Sequence, residues 1–478
     1  MQKIVATFVM AFCAINFIFA QQRPNIIVIF TDDLGYADIG ANGMVPDIKT
    51  PNIDKLAENG IRMTSGYVTA PQCAPSRAGL LTGRYQQRFG SDDNGVQPVP
   101  LDETLIAEHM SNAGYVTGMT GKWHLQPLYV QTNWVRQNVP GIPDKARYSP
   151  KDVPLELTMK YYPHVRGFQE YYYGTMYNIW ANYDLCGNSI EPQWINADGY
   201  RLDNQTNAAT TFIDRNYEKP FFFYLGYYAP HVPLEATEKY LSRFPGKMPE
   251  RRRYCLAMMS AVDDGVGKII NKLKEHGVYE NTLIFFMSDN GAPLKIYKED
   301  IPLTHKGGAW DGSLNKPFVG EKGMISEGGI RVPYIVSWPA VLPKGEVYNK
   351  PVVSLDMAAT AVEVAGRKKP KAFDGTNLIP YLTGERKGQP HEQLYWRFWD
   401  QSAIRMDNWK FLKAGNREFL FDLNSEEPES ENLIFQYPEK ADKMKKELVK
   451  WGAELKNPGI PDGEIRREKH WYDYYFKE

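Results

Sequence analysis

Positions 25–30 read as one run, apolar without interruption from Ile26 to Phe30, and give way to Thr31-Asp32-Asp33. A short continuous run bounded by polar residues predicts a strand buried on both faces, here with acids at its carboxyl end. Positions 221–227 and 282–287 repeat the pattern, the second closing on Asp289-Asn290, and positions 116–120 and 332–338 add two further strands. Helical spacing marks 52–58, 103–112 (Leu105, Ile106, His109 and Met110) and the long stretch 251–275. Strands alternating with helices predict a mostly parallel sheet, in which ligands lie at strand carboxyl ends. Both acidic pairs fall there.

Beyond about position 345 the pattern changes. Positions 393–398, 402–412 and 418–423 read as short antiparallel strands and 440–455 as an amphipathic helix. The fold class is therefore α/β: a large domain over 23–345 with a mostly parallel central sheet flanked by helices, then a smaller α+β subdomain over 346–478 with an antiparallel sheet. No internal repeat or low-complexity tract interrupts it. Positions 126–160 and 291–322 are irregular, polar and rich in Pro or Gly, long enough to predict insertions around an active site.

The first twenty residues pair Lys3 with an apolar stretch over 4–19 and end on the small residue Ala20. This reads as a cleaved signal peptide and predicts export, to the periplasm or beyond. The apolar stretch is short for a span and no basic stop follows, which argues against a membrane anchor. Phe12 before Cys13 argues against a lipoprotein signal. About 458 residues remain, enough for two substantial cores. With 56 basic and 57 acidic residues the net charge is −1, so nothing points to nucleic acid or an anionic membrane surface. After cleavage three of the four cysteines remain, Cys73, Cys186 and Cys255; they make no disulfide framework, and the last two could pair or stay separate. Oligomeric state is not legible.

Candidate chemistry centres on Cys73-Ala74-Pro75-Ser76-Arg77, followed by Ala78-Gly79-Leu80-Leu81-Thr82-Gly83. Pro75 fixes φ and Ser76 is a plausible N-cap, so the thiol falls at or just before a helix N-terminus, where N–H groups favour an anion. Arg77 lies one turn on and adds a planar fork for oxyanions. Asp32, Asp33, Asp289 and Asn290 form an all-oxygen set from two strand ends, which favours Ca²⁺ or Mg²⁺ over zinc. Lys122 and His124, at i and i+2 after a strand, are predicted to face the same strand end. His231 sits between Pro230 and Pro233 on a stiff loop after another strand.

The Cys73–Gly83 run, preceded by Thr50-Pro51-Asn52-Ile53-Asp54-Lys55-Leu56-Ala57 and Gly60, resembles the signature of the type I sulfatases, members of the alkaline-phosphatase-like superfamily. Gly121-Lys122-Trp123-His124, Pro230-His231-Val232-Pro233, Lys322 with Glu327-Gly328-Gly329-Ile330-Arg331-Val332-Pro333, and Leu420-Phe421-Asp422-Leu423 extend the likeness over nearly all the mature chain. Only Gly320-Glu321, ahead of Lys322, departs from the usual basic lead-in. The resemblance implies that a maturing enzyme oxidises Cys73 to formylglycine. It also implies one divalent cation, usually calcium and less often magnesium, held by Asp32, Asp33, Asp289, Asn290 and residue 73. Lys122 and Lys322 would contact sulfate, His124 would act as base, and His231 would bind sulfate and protonate the leaving alcohol. In the two-step mechanism so implied, one hydroxyl of the hydrated aldehyde attacks sulfur and the second, deprotonated by His124, expels sulfate. Arg77, the lysines and the cation would stabilise the charged transition state.

Substrate is less legible. Aromatics reach 13 %, with 30 Tyr and 11 Trp, and Tyr171-Tyr172-Tyr173 could stack sugars or pack the core; residues 178–184 are a candidate substrate contact. Export, insertions and aromatics favour a sulfated carbohydrate, an algal polysaccharide such as ulvan or carrageenan or a glycosaminoglycan. The rivals are a formylglycine-dependent phosphate or phosphonate ester hydrolase and a non-catalytic binder of sulfated glycans. Asn204-Gln205-Thr206 is a lone sequon of the kind that arises by chance.

Overall fold

The protein was analysed as a computed structural model, which describes residues 23–305, 308–457 and 466–476. The expected signal segment, residues 1–20, lies outside them. Five parallel strands form the centre of a ten-stranded sheet, in the spatial order Thr282–Ser288, Asn25–Asp32, Phe221–Pro230, Val116–Gly121 and Glu170–Thr175. Antiparallel pairs extend both edges: Tyr334–Ser337 joins Thr282–Ser288, and Asn178–Tyr183 joins Glu170–Thr175.

The central strands read as continuous apolar runs because both faces are covered. Ile26, Val28 and Phe30 point into one core with the helices Cys73–Thr82, Ile106–Asn112 and Leu355–Val364. Ile27 and Ile29 point the other way, into a core with Arg201–Asn216 and Glu250–Glu275. The alternation is the two-residue period of a strand. Tyr171, Tyr172 and Tyr173 are all buried within these two cores, so they pack rather than stack sugars.

A separate four-stranded antiparallel sheet runs Gln393–Phe398, Gln401–Met406, Trp409–Ala414 and Arg417–Asp422. The single strand expected over 402–412 is therefore two. Asp407 adopts φ 49° and turns the chain, and Ile404 then pairs with Phe411. The helix Pro438–Gly452 covers this sheet through Ala441, Met444, Leu448 and Trp451. The same core takes in Met324, Ile325 and Ile330, so the small sheet packs on the loop that carries Lys322.

Charge also crosses that boundary. Lys410, fully buried, reaches Glu327 Oε1 at 2.9 Å and Glu429 Oε1 at 2.8 Å, while Tyr67 donates to Glu327 Oε2 at 2.6 Å. Despite burial, Lys410 and Arg331 hold the Glu327 carboxyl down at about 2.

The first of the two long insertions is not structureless, whereas the described residues of 291–322 form no helix or strand, as expected. Residues 126–160 fold into the short helices Thr132–Asn138 and Leu155–Met159 around Trp134, Val135, Tyr148 and Tyr161. Cys186 is exposed and Cys255 buried, and they are unpaired. Asn204, of the lone sequon, is buried in the helix Arg201–Asn216 and donates to Asp198 O. Among the described residues no helix is long and apolar enough to cross a membrane.

Candidate active site

The site lies where the carboxyl ends of the central strands meet the start of the helix Cys73–Thr82. Asp32 ends the first strand and Asp33 follows in a left-handed conformation, φ 65°. That conformation is uncommon outside glycine and clusters at functional sites. It is fixed from across the sheet: Asp33 N donates to Asp289 Oδ1 at 3.1 Å, and Asn290 Nδ2 reaches Asp33 Oδ1 at 2.6 Å. The two acidic pairs seen in the sequence thus lock together through the pairing of Thr31 with Ser288.

Cys73 is the first residue of its helix, and Gln72 precedes it as the cap residue. Ser76 is not the cap; its hydroxyl is buried without a hydrogen-bond partner inside the first turn. The Cys73 thiol lies 3.4 Å from Asp32 Oδ1 and 3.8 Å from Asp33 Oδ1, and Lys322 Nζ approaches it to 3.2 Å. Burial, and then the Asp289 carboxylate, push the thiol well above its usual pKa in spite of two lysines. As a thiol, residue 73 is a poor nucleophile.

Four cationic or imidazole side chains face the acids. Lys122 Nζ contacts both Asp32 oxygens, at 2.8 and 2.7 Å, and Lys322 Nζ both Asp33 oxygens, at 2.6 and 2.7 Å. Arg77, completely buried, donates to Asp289 Oδ2 at 2.7 Å and to Tyr224 Oη at 2.7 Å. His231 Nε2 lies 3.6 Å from Asp33 Oδ2, brought there because Pro230 pairs with Asp32 at the strand ends. Burial lowers the His231 pKa, so at neutral pH the ring is largely uncharged.

His124 sits beside this group with φ 64°, and its Nδ1 is buried with no partner. Burial first, then the charges of Lys122 and Arg77, hold it well below its usual value. Trp123, between Lys122 and His124, anchors the segment by donating to Tyr161 O at 2.9 Å, which ties it to the 126–160 insertion. Gly226 makes room for the cations: a Cβ there would lie 2.7 Å from Lys122 O and 3.2 Å from Arg77 Nη1.

All ten residues expected from sequence therefore gather in one place, nine through direct contacts and His124 through its neighbours' field. Asp32, Asp33, Cys73 and His231 each offer a ligand atom within 4.8 Å of the others. The Oδ1 of Asn290 is buried and accepts no hydrogen bond, an acceptor waiting for a positive partner. With oxygen donors predominating, this set suits a hard divalent cation.

Some partners had no sequence signal. Tyr224 fixes Arg77, Asn94 Oδ1 accepts the Ala74 N–H at 3.0 Å, and the Tyr228 ring lies 5.7 Å from Lys122 Nζ. Asp311, fully buried within the 291–322 insertion, is driven well above the usual carboxylate range by burial and by Asp33. Each belongs to a type that fills many ordinary positions.

Comparison with known proteins agrees with this geometry. The sulfatase family model matches residues 24–367, and a model for the C-terminal part of N-sulphoglucosamine sulphohydrolase matches 319–455. The chain is 32 % identical over 446 residues to the uncharacterized sulfatase YdeN of Escherichia coli, covering 85 % of this chain and 75 % of that one. It is 30 % identical over 413 residues to mouse (Mus musculus) N-acetylgalactosamine-6-sulfatase, covering 82 % and 72 %. The crystal structure of Ps i-CgsB superposes with a TM-score of 0.75 at 31 % identity, over 96 % of this chain and all of that one. The chain belongs to the sulfatase family, the formylglycine-dependent branch of the alkaline-phosphatase-like fold. It is a sulfuric ester hydrolase.

Proposed function

We propose that this enzyme removes sulfate from a sulfated carbohydrate, with residue 73 converted to formylglycine and a calcium ion beside it. The observation that carries the reading is the surroundings of Cys73: two carboxylates and a lysine within 3.8 Å, around a thiol too weakly acidic to act as it stands. A hydrated aldehyde at 73 would supply two hydroxyls on one carbon, one to take the sulfuryl group and one whose deprotonation releases it. Asp32, Asp33, Asp289 and Asn290, with the side chain of residue 73, would hold the cation, which supplies Lewis-acid charge to one sulfate oxygen. Magnesium, which also takes hard oxygen donors, is the second choice.

The remaining roles fall to groups of this chain. Lys122 and Lys322 bring two fixed positive charges to the edge of the cradle, where charge develops on the transferring group. Lys322, 3.2 Å from Cys73 Sγ, and His231 are the groups placed to meet the leaving oxygen. His124, neutral at pH 7, can accept the proton whose loss releases sulfate. Arg77 spends its fork on Asp289 and Tyr224, so its part is to position the carboxylates rather than to touch substrate.

Carbohydrate is supported by the company the chain keeps. Ps i-CgsB, at 31 % identity, has been solved with k-i-k-neocarrahexaose, and the mouse relative is named for N-acetylgalactosamine 6-sulfate. The apolar stretch ending at Ala20 supports export to the periplasm or the medium, where such polymers are met, and maturation would need a formylglycine-generating enzyme. The test is sulfate release from a panel of defined sulfated oligosaccharides, beside an aryl sulfate and a matched phosphate ester. Release from one class of oligosaccharide, well above the aryl sulfate in kcat/KM, is expected. Turnover of the aryl sulfate alone, or faster turnover of the phosphate ester, would overturn the reading.

A further inference from the structure

Lys322 Nζ stands 3.2 Å from Cys73 Sγ, yet the described residues of 291–322 ahead of it form no helix or strand to hold its backbone. Its ion pair with Asp33 does not fix that backbone, because a lysine's flexible four-carbon stem reaches one carboxylate from many starting points. The anchor is Asn315, a side chain only 2 % exposed. Its Oδ1 accepts the N–H of Ala292 at 2.7 Å, and its Nδ2 donates to Ala292 O and to Gly320 O, both at 3.0 Å. The backbone N–H of Lys322 donates to the same Ala292 carbonyl at 3.1 Å. One planar amide therefore ties a position two residues past Asn290 to a position two residues before Lys322.

The two preceding residues extend the brace to the segment that follows Asp33. Ser313 Oγ accepts the N–H of Gly35 at 2.9 Å and donates to Asp38 Oδ2 at 2.7 Å. Leu314 N donates to Asp38 Oδ2 at 2.8 Å, and Leu314 O accepts from Ala37 N at 3.1 Å. The approach is close: a Cβ on Gly35 would lie 2.1 Å from Leu314 O and 2.6 Å from Asn315 Oδ1. The task also selects the residue type. It needs one acceptor and two N–H donors on a short, rigid group; an aspartate carboxylate has no donor, and glutamine carries an extra methylene where the backbone leaves no room. A reacting group carried on a loop is placed accurately only when buried partners lock the loop. Resting on the role given above to Lys322 at the leaving oxygen, we infer that Asn315 is a positioning residue that holds Lys322 against residue 73, and so sets how well the enzyme expels a basic leaving group.

The experiment is a double-mutant cycle on the matured enzyme: wild type, Asn315→Ala, Lys322→Ala and the double variant, with kcat/KM measured on phenyl sulfate and on 4-nitrophenyl sulfate. Circular dichroism and melting temperatures are recorded for each protein. Asn315→Ala is expected to lower kcat/KM on phenyl sulfate by about a hundredfold, the scale of a misplaced reacting group, and to cost less on 4-nitrophenyl sulfate, whose leaving oxygen is less basic. In the Lys322→Ala background the same substitution should cost no more than about threefold, because the group it positions is gone. Asn315→Asp, which keeps the bond from Ala292 N and withdraws the donated pair, is the second variant should alanine unsettle the loop, and its loss should fall between wild type and Asn315→Ala. An Asn315→Ala loss of equal size in both backgrounds would overturn the positioning role and leave that of Lys322 intact. So would Asn315 variants within about twofold of wild type on both esters. Lys322→Ala at the wild-type rate on phenyl sulfate would overturn the role of Lys322 and this assignment with it.

Discussion

At the scale of single residues, the site is an exercise in balancing buried charge. Asp32, Asp33 and Asp289 are matched by Lys122, Lys322 and Arg77, each within direct contact of an acid. Ionised groups taken out of water demand such partners, or they neutralise instead. If residue 73 must present two hydroxyls, Cys73→Ser should release at most one alcohol per enzyme and lower steady-state kcat by at least about a thousandfold. Multiple turnovers at near wild-type rate would contradict that. The acid limb of the kcat profile tests His124. Its pKa is depressed by burial and by Lys122, so the neutral, proton-accepting form persists as pH falls. Activity should therefore hold through pH 6.5, the usual histidine value, and fail only below it, with the limb absent in a residual His124→Ala activity. A half-loss at or above pH 6.5 would exclude His124 as that base. These ten residues were legible because their motifs combine rare types at fixed spacings. Tyr224, Asn94 and Asp311 were not: a Tyr in a buried strand, or an Asn or Asp in a loop, looks the same whether or not it supports a site.

At the scale of elements, the strands were legible wherever both faces are covered. Such strands are apolar along their length, as residues 26–30, 221–227 and 283–287 are. The 402–412 stretch misled because Asp407 and Asn408 make a turn too short to interrupt the apolar pattern on either side. The helix expected from 103 begins only at Ile106, where Glu108 accepts the Leu105 N–H at 2.7 Å; end effects of this kind are local and weakly encoded. The short helix Glu327–Ile330 links the small sheet to the site: Glu327 is held by Lys410, and Gly329 O accepts the N–H of Gly291, next to Asn290. Lys410→Met would leave Glu429 buried without its cation and Glu327 with Arg331 as its ion-pair partner. A loss of about 3–5 kcal/mol in urea unfolding is expected, with a matching loss of activity through the displaced loop. A variant within 1 kcal/mol of wild type, on the order of an ordinary surface substitution, would show that the contact carries little.

At the scale of the whole molecule, the site is built from segments far apart in the chain, from Asp32 to Lys322, and braced behind by residues 401–429. Its integrity therefore depends on both sheets at once. Urea unfolding followed by tryptophan fluorescence and by far-ultraviolet circular dichroism is expected to give one coincident transition. Two separated transitions would mean that the small sheet stands by itself and that the shared core around Met324, Ile325 and Ile330 contributes little. The near-zero net charge was legible from composition, but its concentration into one buried cluster of opposed ions was not, because only the fold brings those positions together. The account rests on what residue 73 becomes. Mass spectrometry of the peptide spanning Cys73, taken from active enzyme, should find a residue about 18 Da lighter than cysteine, sulfur lost and aldehyde oxygen gained. A fully active preparation whose peptide carries unmodified cysteine throughout would contradict it.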